Sequence, residues 1–330
     1  MRPMRRKEDA ADIARVLREL SEQDWLKGNR EWWPKYVFHY TDVRNAVEIL
    51  KNGRLLCRSK LDEHQGMIVD NASRNVVANT EDYVRDFVRL YFRPQTPTQY
   101  RNEGIRPKNM RMLESNCPVP IFFLFDSEDI LTRADSQFSA GNLAAEGTSL
   151  CNTAEELEEF DFRKIYHVGR FQQYEKASII YHRNAEVVVP AEMDLSSLRY
   201  IFCRSPAEKD TLLHLLSLEA FLEWSRKILV ASKSQIYNCN WTFVETVELT
   251  PSRVVINFSP DSLTPGPFNM AASITDLDNG DEFHHQSQEF YADNVLHFHV
   301  PNGVSRYEIR LILDADVAFV KSFDGEEIPF

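Results

Sequence analysis

Apolar residues fall at helical spacing early in the chain. Over residues 8–20, Ile13, Val16, Leu17 and Leu20 share one face, which predicts an amphipathic helix. Trp25, Trp32 and Trp33 gather ahead of Pro34 and are expected to pack this helix onto the main body. The period then shortens. Residues 36–40 read as a strand, residues 43–50 as a short helix closed by Asn52-Gly53 with a left-handed glycine cap, and residues 54–57 as a second strand. Residues 59–80 are polar and aperiodic, and a loop of that length inside a compact domain is often functional. Strands are expected at 90–92 and 119–125, the second apolar enough to be central. A helix is expected over 155–166, an extended segment at 179–181, a buried strand at 187–189, a strand at 198–203, and one or two helices over 206–228.

Beyond residue 232 the pattern changes. Short apolar runs at 243–249, 253–258, 295–300 and 307–313 are separated by Thr250-Pro251, Thr264-Pro265-Gly266-Pro267, Asn279-Gly280 and Asn302-Gly303. Regular short strands with such turn formers predict a β-sandwich or barrel. The chain is therefore expected to be α+β in three parts: an N-terminal helical extension (1–34), a main domain (35–232) and an all-β sandwich-like C-terminal domain (233–330), with the boundary at Ser232 to Ser234.

Composition narrows the class. At 330 residues, 43% hydrophobic and 27% charged, the chain has the make-up of a soluble globular protein with a sizeable core. No apolar stretch is long enough to cross a bilayer, so no membrane partner is expected. The basic start, Met1 through Lys7, is followed by Glu8, Asp9 and Asp12 instead of an apolar segment, so it does not read as a secretory signal. Cys57, Cys117, Cys151, Cys203 and Cys239 are scattered without a CxxC pair, which argues against disulfides and structural zinc and fits a cytoplasmic protein. His297 and His299 alternate on one predicted strand near His284-His285, but they lack the acid or cysteine pattern of a metal site.

The formal net charge of −12 argues against wholesale coating of nucleic acid. Its distribution is uneven. Arg85, Arg89, Arg93, Arg101, Arg106, Lys108 and Arg111 follow one another with only Asp86 and Glu103 between them. Such a strip either guides one polyanion into a groove or is a solvated face paired with acids elsewhere. Tyr91, Phe92 and Tyr100 interleave with it and offer surfaces on which bases stack.

The chemistry-bearing candidate is Glu186, in Asn184-Ala185-Glu186-Val187-Val188-Val189-Pro190. A lone acid at the mouth of an apolar strand is either a catalytic carboxylate or a strand-end acid facing water. His39 taken alone reads as a satisfied core histidine rather than a ligand contact, and only its place in a motif reverses that. Gly141 in Ser139-Ala140-Gly141-Asn142 reads as a turn, and the Gly-x-Gly-x-x-Gly dinucleotide fingerprint is absent from the sequence.

Taken together, four segments carry a resemblance. Phe38-His39-Tyr40-Thr41 with Asn45, the run from Leu90 through Tyr91-Phe92-Arg93-Pro94-Gln95 to Tyr100, Ser139 through Gly141 to Ala145, and Asn184-Ala185-Glu186 occur in this order. At these separations they resemble the DarT family, NAD-dependent ADP-ribosyltransferases that modify nucleic-acid bases and act as toxins in toxin–antitoxin pairs. The resemblance covers roughly residues 36–190. It implies an ADP-ribosyltransferase-like split β core with helices over residues 35–232. It implies that His39 and Thr41 hold the nicotinamide side of NAD, that Asn45, Tyr91 and Gln95 help fix the dinucleotide, and that Glu186 is the catalytic acid. Family members often carry arginine directly after the proline of their Tyr-Phe-x-Pro motif, where this chain has Gln95. Arg93 is therefore the candidate for the cationic catalytic role. Arg89, Arg101, Arg106, Lys108 and Arg111 are assigned to the nucleic acid.

The residue types suit the reaction that the resemblance implies. Cleaving the nicotinamide–ribose bond leaves positive charge on the sugar, much as glycoside cleavage does, and a carboxylate stabilises it without a metal. The same acid can accept a proton from the incoming base. Chemistry on a base needs it unstacked, which favours a single-stranded substrate. The resemblance implies DNA as the leading substrate, with RNA as a rival, and a cognate antitoxin protein as a further partner. Transfer to a protein side chain, and a nucleic-acid-binding module without turnover, are the alternatives.

Overall fold

A computed structural model describes residues 5–63, 82–111, 116–231, 236–293 and 295–325. The first periodic stretch folds as α1 (Ala10–Ser21), burying Ile13, Val16, Leu17 and Leu20. These join one core with Trp33, against which Trp25 and Trp32 also pack. Next come β1 (Tyr36–Asp42), α2 (Val43–Asn52), β2 (Arg54–Leu56) and α3 (Arg58–Glu63). Gly53 ends α2 at φ 65°, the left-handed conformation glycine adopts without steric cost. The expected long loop thus begins as helix, and its remainder lies outside the described residues, as do Ser232 to Ser234.

The chain continues through β3 (Phe87–Tyr91), α4 (Pro97–Asn102), β4 (Pro120–Asp126), α5 (Ser127–Leu131) and β5 (Gln137–Ser139). The helix expected over 155–166 is two short ones, α6 (Ala154–Glu158) and α7 (Phe162–Ile165). They are divided where Asp161 caps the second by accepting from the Lys164 amide. Residues 179–181, expected to be extended, lie in α8 (Lys176–His182). Their β propensity yields to packing that buries Ile179 and turns Tyr181 toward Gly141. Then follow β6 (Glu186–Pro190), β7 (Glu192–Asp194), β8 (Leu198–Cys203), α9 (Pro206–Leu215), α10 (Leu218–Trp224) and β9 (Ile228–Val230).

Seven strands form the main sheet in the order β5-β6-β3-β1-β4-β8-β9. Its strand β4 is buried from Pro120 to Phe125, as its unbroken apolar run predicts for a covered central strand. The sheet is uneven in the middle. β1 pairs with β4 along its whole length, from Tyr36↔Asp126 to Asp42↔Pro120. β3 pairs with β6 from Phe87↔Pro190 to Tyr91↔Glu186. Between β1 and β3 the register holds at Phe38↔Tyr91 only, so the sheet is split there into two halves.

The C-terminal part contains β10 (Val244–Leu249), β11 (Arg253–Phe258), β12 (Phe268–Asp276), β13 (Glu282–Phe290), β14 (Leu296–His299), β15 (Tyr307–Leu313) and β16 (Asp316–Phe323). They form two antiparallel sheets, β10-β11-β14 and β13-β12-β15-β16. Inward residues of both, among them Val254, Ile256, Phe268, Ile309 and Leu311, share one core, which is the sandwich arrangement. Ile105 and Ala207 from the first part of the chain enter that same core. Beside them Arg204 pairs with Glu208, lies 3.6 Å from Glu103, and has its guanidinium 4.0 Å above the Phe243 ring.

Candidate active site

Glu186 opens β6 and stands in register between Tyr91 of β3 and Ser139 of β5. Its side chain has no solvent exposure. Burying a carboxylate is costly without hydrogen-bond donors, and three are present, from two residues. Arg89 donates through Nε to Oε2 at 2.5 Å and through Nη2 to Oε1 at 2.6 Å, a bidentate fork. The backbone amide of Leu143 donates to Oε1 at 3.1 Å. Arg89 reaches the acid because it lies two residues before Tyr91, on the same face of a strand whose side chains alternate.

The electrostatics follow from that pairing. Burial opposes the Arg89 charge, but the adjacent Glu186 carboxylate more than offsets it and raises the guanidinium pKa above its ordinary value. Burial, with Glu186 adding to it, pushes the Tyr91 phenol up to about 12, so Tyr91 keeps its hydroxyl proton.

His39, on β1, reaches the backbone of the same arginine across the split. Its Nδ1–H donates to the Arg89 carbonyl at 3.2 Å, and its ring meets Phe123 edge-on at 6.2 Å. Because the partner is an acceptor, the proton belongs on Nδ1 and Nε2 is left as the acceptor. Burial lowers the His39 pKa to about 4, so the ring is neutral near pH 7. Behind it, Asn45 donates through Nδ2 to Thr41 Oγ1 at 3.2 Å, one turn apart at the start of α2.

A strap after β5 covers the acid. Ser139 Oγ donates to the Gly141 carbonyl at 2.8 Å, and the Tyr181 ring lies so close over Gly141 that a β-carbon there would be 2.3 Å from it. Thr148 Oγ1 donates to the Tyr181 hydroxyl at 3.2 Å. The strap thereby points the Leu143 amide at Glu186. The glycine that reads as a turn in the sequence is required by a close approach.

The remaining sequence candidates are dispersed. Arg93 is buried beside Trp33, and its guanidinium is engaged by the carbonyls of Pro94, Ile165 and His167 instead of by Glu186. Gln95 adopts φ 55°, receives its backbone support from Gln99 Oε1 at 2.6 Å, and points its amide at the Tyr237 carbonyl, 3.3 Å away. The basic strip is not one surface. Arg89 belongs to Glu186, Arg106 is buried with its guanidinium 3.9 Å above Trp241, and Arg111 pairs with Asp316 at 2.5 Å. Arg101 and Lys108 are exposed. Of the interleaved aromatics, Phe92 is core, packed on Phe160 and Phe162, Tyr91 is half-buried, and Tyr100 is exposed.

Sequence reasoning did not connect Arg89 or the Leu143 amide with the acid. For Arg89 a signal exists: the two-residue strand period places it beside Tyr91, the residue the motif already singles out. The Leu143 amide has no such signal, since its aim depends on Tyr181. Among the described residues, no group of three or more His, Cys, Asp or Glu side chains is placed to hold a metal ion.

The fold resembles that of a DarT from Thermus sp. 2.9, solved in complex with ADP-ribosylated single-stranded DNA: the two superpose with a TM-score of 0.50 at 17% identity, covering 62% of this chain and 96% of that one. The same protein in complex with NAD+ gives 0.48 at 16% identity, over 62% and 98% of the two chains. A Thermosipho africanus DarTG in complex with ADP-ribose gives 0.44 at 18% identity, over 59% and 49%. No curated protein matches. The model of the DarT family, single-stranded-DNA thymidine ADP-ribosyltransferases, matches residues 38–238, and the chain belongs to that family.

Proposed function

We propose that the chain transfers ADP-ribose from NAD to a thymine base of single-stranded DNA, and that it serves as the toxin of a toxin–antitoxin or anti-phage system with a cognate antitoxin protein. One observation carries the reading: a fully buried carboxylate, Glu186, is held by an arginine fork beside a split in the sheet, and a histidine of the strand across that split donates to the backbone carbonyl of the same arginine. The DNA part rests on family membership and on the Thermus relative bound to ADP-ribosylated single-stranded DNA.

The residues present fit a dinucleotide. His39 offers Nε2 as an acceptor for an amide N–H, Tyr91 keeps a phenolic donor, and Arg89 has an Nη1 group not used on Glu186. NAD supplies a glycosidic bond whose neutral nicotinamide leaving group takes the bonding electron pair and leaves positive charge on the ribose. Glu186 provides the fixed negative charge beside which that charge is least costly. As the base ring nitrogen bonds to the sugar it loses its proton, and Glu186 is the acceptor that the site offers. The Leu143 amide and Arg89 hold the carboxylate still, so little reorganisation accompanies the change in charge. Arg101, Lys108 and Tyr100, exposed on the segment after β3, are the groups we assign to contact the strand.

Mass spectrometry of nucleosides tests this reading after incubation of the protein with labelled NAD and short DNA or RNA oligomers. The expected product is thymidine carrying one ADP-ribose, from single-stranded DNA. Modified RNA with unmodified DNA would replace the substrate class, and label on protein that survives nuclease treatment would overturn base modification. No helix among the described residues is long and apolar enough to cross a membrane.

A further inference from the structure

Position 95, where family members often carry arginine, holds a glutamine whose side chain is turned to the Tyr237 carbonyl. The nearest arginine in sequence, Arg93, spends its guanidinium on three backbone carbonyls. Arg89, by contrast, grips both oxygens of Glu186 from the neighbouring strand, and its side chain remains 29% exposed.

We propose that Arg89 is the arginine of this active centre, a positioning residue that aims the Glu186 carboxylate, in place of the arginine absent at position 95. The inference rests on the ADP-ribosyltransferase reading above.

The argument is geometric. Glu186 lies where β5, β6 and β3 meet, and none of the side chains from Gln137 to Ala145 on the β5 side is ionisable. Glu186 shifts the ionisation of Arg89 and Tyr91, both from β3. Tyr91 is held in its neutral form, so Arg89 is the cation that offsets the buried acid. A lysine could supply the charge but not the fork, since an ammonium cannot bind two carboxylate oxygens in one plane. Arg89 also carries the carbonyl that receives the His39 proton. One residue thereby sets the direction of the acid with its side chain and the tautomer of the histidine with its backbone.

The test compares wild type, Arg89→Ala, Arg89→Lys and Glu186→Ala for nicotinamide release from NAD in the presence of single-stranded DNA. Kinetic constants are taken across pH and thermal melts alongside. Wild-type turnover that vanishes in Glu186→Ala secures the underlying reading independently. Arg89→Ala is then expected to lower kcat on the order of 10²-fold with KM for NAD changed only a few-fold. The acid limb of its activity profile moves to higher pH, because the buried acid has lost its counter-charge. Arg89→Lys is expected to restore the position of the acid limb but to leave kcat reduced by roughly 10-fold. A kcat and pH profile unchanged in Arg89→Ala would overturn the proposal. If that variant does not fold, Arg89→Lys decides: an unchanged kcat there would show that the fork has no function.

Discussion

The Tyr181 ring fills the space that a β-carbon on Gly141 would occupy, at a distance of 2.3 Å. Two segments far apart in sequence are thereby fixed to each other, and the strap between them presents the Leu143 amide to Glu186. Gly141→Ala should force the ring or the strap aside. We expect a loss of roughly 1–3 kcal/mol in stability. Turnover per folded molecule should fall as well, because the acid loses one of its three fixed donors. Pairing the substitution with Tyr181→Ala should recover part of the stability. Denaturant melts of the single and double variants, with nicotinamide release as the second readout, check the coupling.

His39 makes the protein acid-sensitive in a defined window. Its pKa is lowered to about 4 by burial, against 6.5 for an ordinary histidine. Above pH 6.5 the ring is neutral in both folded and unfolded chains and contributes no pH dependence. As the pH falls from 6.5 to 4 the unfolded chain gains the proton and the folded one does not, so stability decreases by up to roughly 3 kcal/mol. His39→Asn preserves a donor for the Arg89 carbonyl and removes the titration. Unfolding free energies at pH 7.5 and 4.5 should therefore differ less in the variant than in wild type; equal differences would contradict the assignment.

Arg204 is a structural cation. It is buried between Glu208 and Glu103 at the junction with the C-terminal sheets, and Glu103 is further held by the amides of Asn238 and Cys239. Arg204→Met removes the cation that pairs with both of these buried acids. A destabilisation of about 3–5 kcal/mol is expected from leaving buried charge without its partner. Replacing Glu103, Arg204 and Glu208 together by neutral residues of similar size should cost less than the single change. Thermal melts of the two variants distinguish these outcomes.

The fold was legible wherever one periodicity dominated. The α1 face, the strand 198–203 and the apolar run after Val119 follow directly from their spacing. Residues 179–181 misled because Ile179 and Ile180 favour a strand in isolation, while the Tyr181–Gly141 contact and the burial of Ile179 are made by a helix. Strand β13 was not expected from the sequence, since its polar run Glu282 to Glu289 lacks the alternation of a half-buried strand; it is an edge strand exposed on both faces. Of the candidate site, Glu186, His39 and the strap were singled out by motif, which is read from residue types in order. The basic strip could not be resolved from sequence. Neighbouring arginines look alike on the page, yet Arg89, Arg93, Arg106 and Arg111 meet a carboxylate, backbone carbonyls, a tryptophan ring and Asp316, respectively. Which partner each one finds is settled by strands and loops far away in the chain.

The direct test of the account is nicotinamide release by Glu186→Gln in the presence of a thymine-containing single-stranded oligomer, with the melting temperature measured on the same sample. The substitution keeps the size of the side chain and removes its charge. A fall in turnover on the order of 10³-fold, with the fold retained, is the predicted result. Turnover close to that of wild type in the folded variant would contradict the role given to the carboxylate.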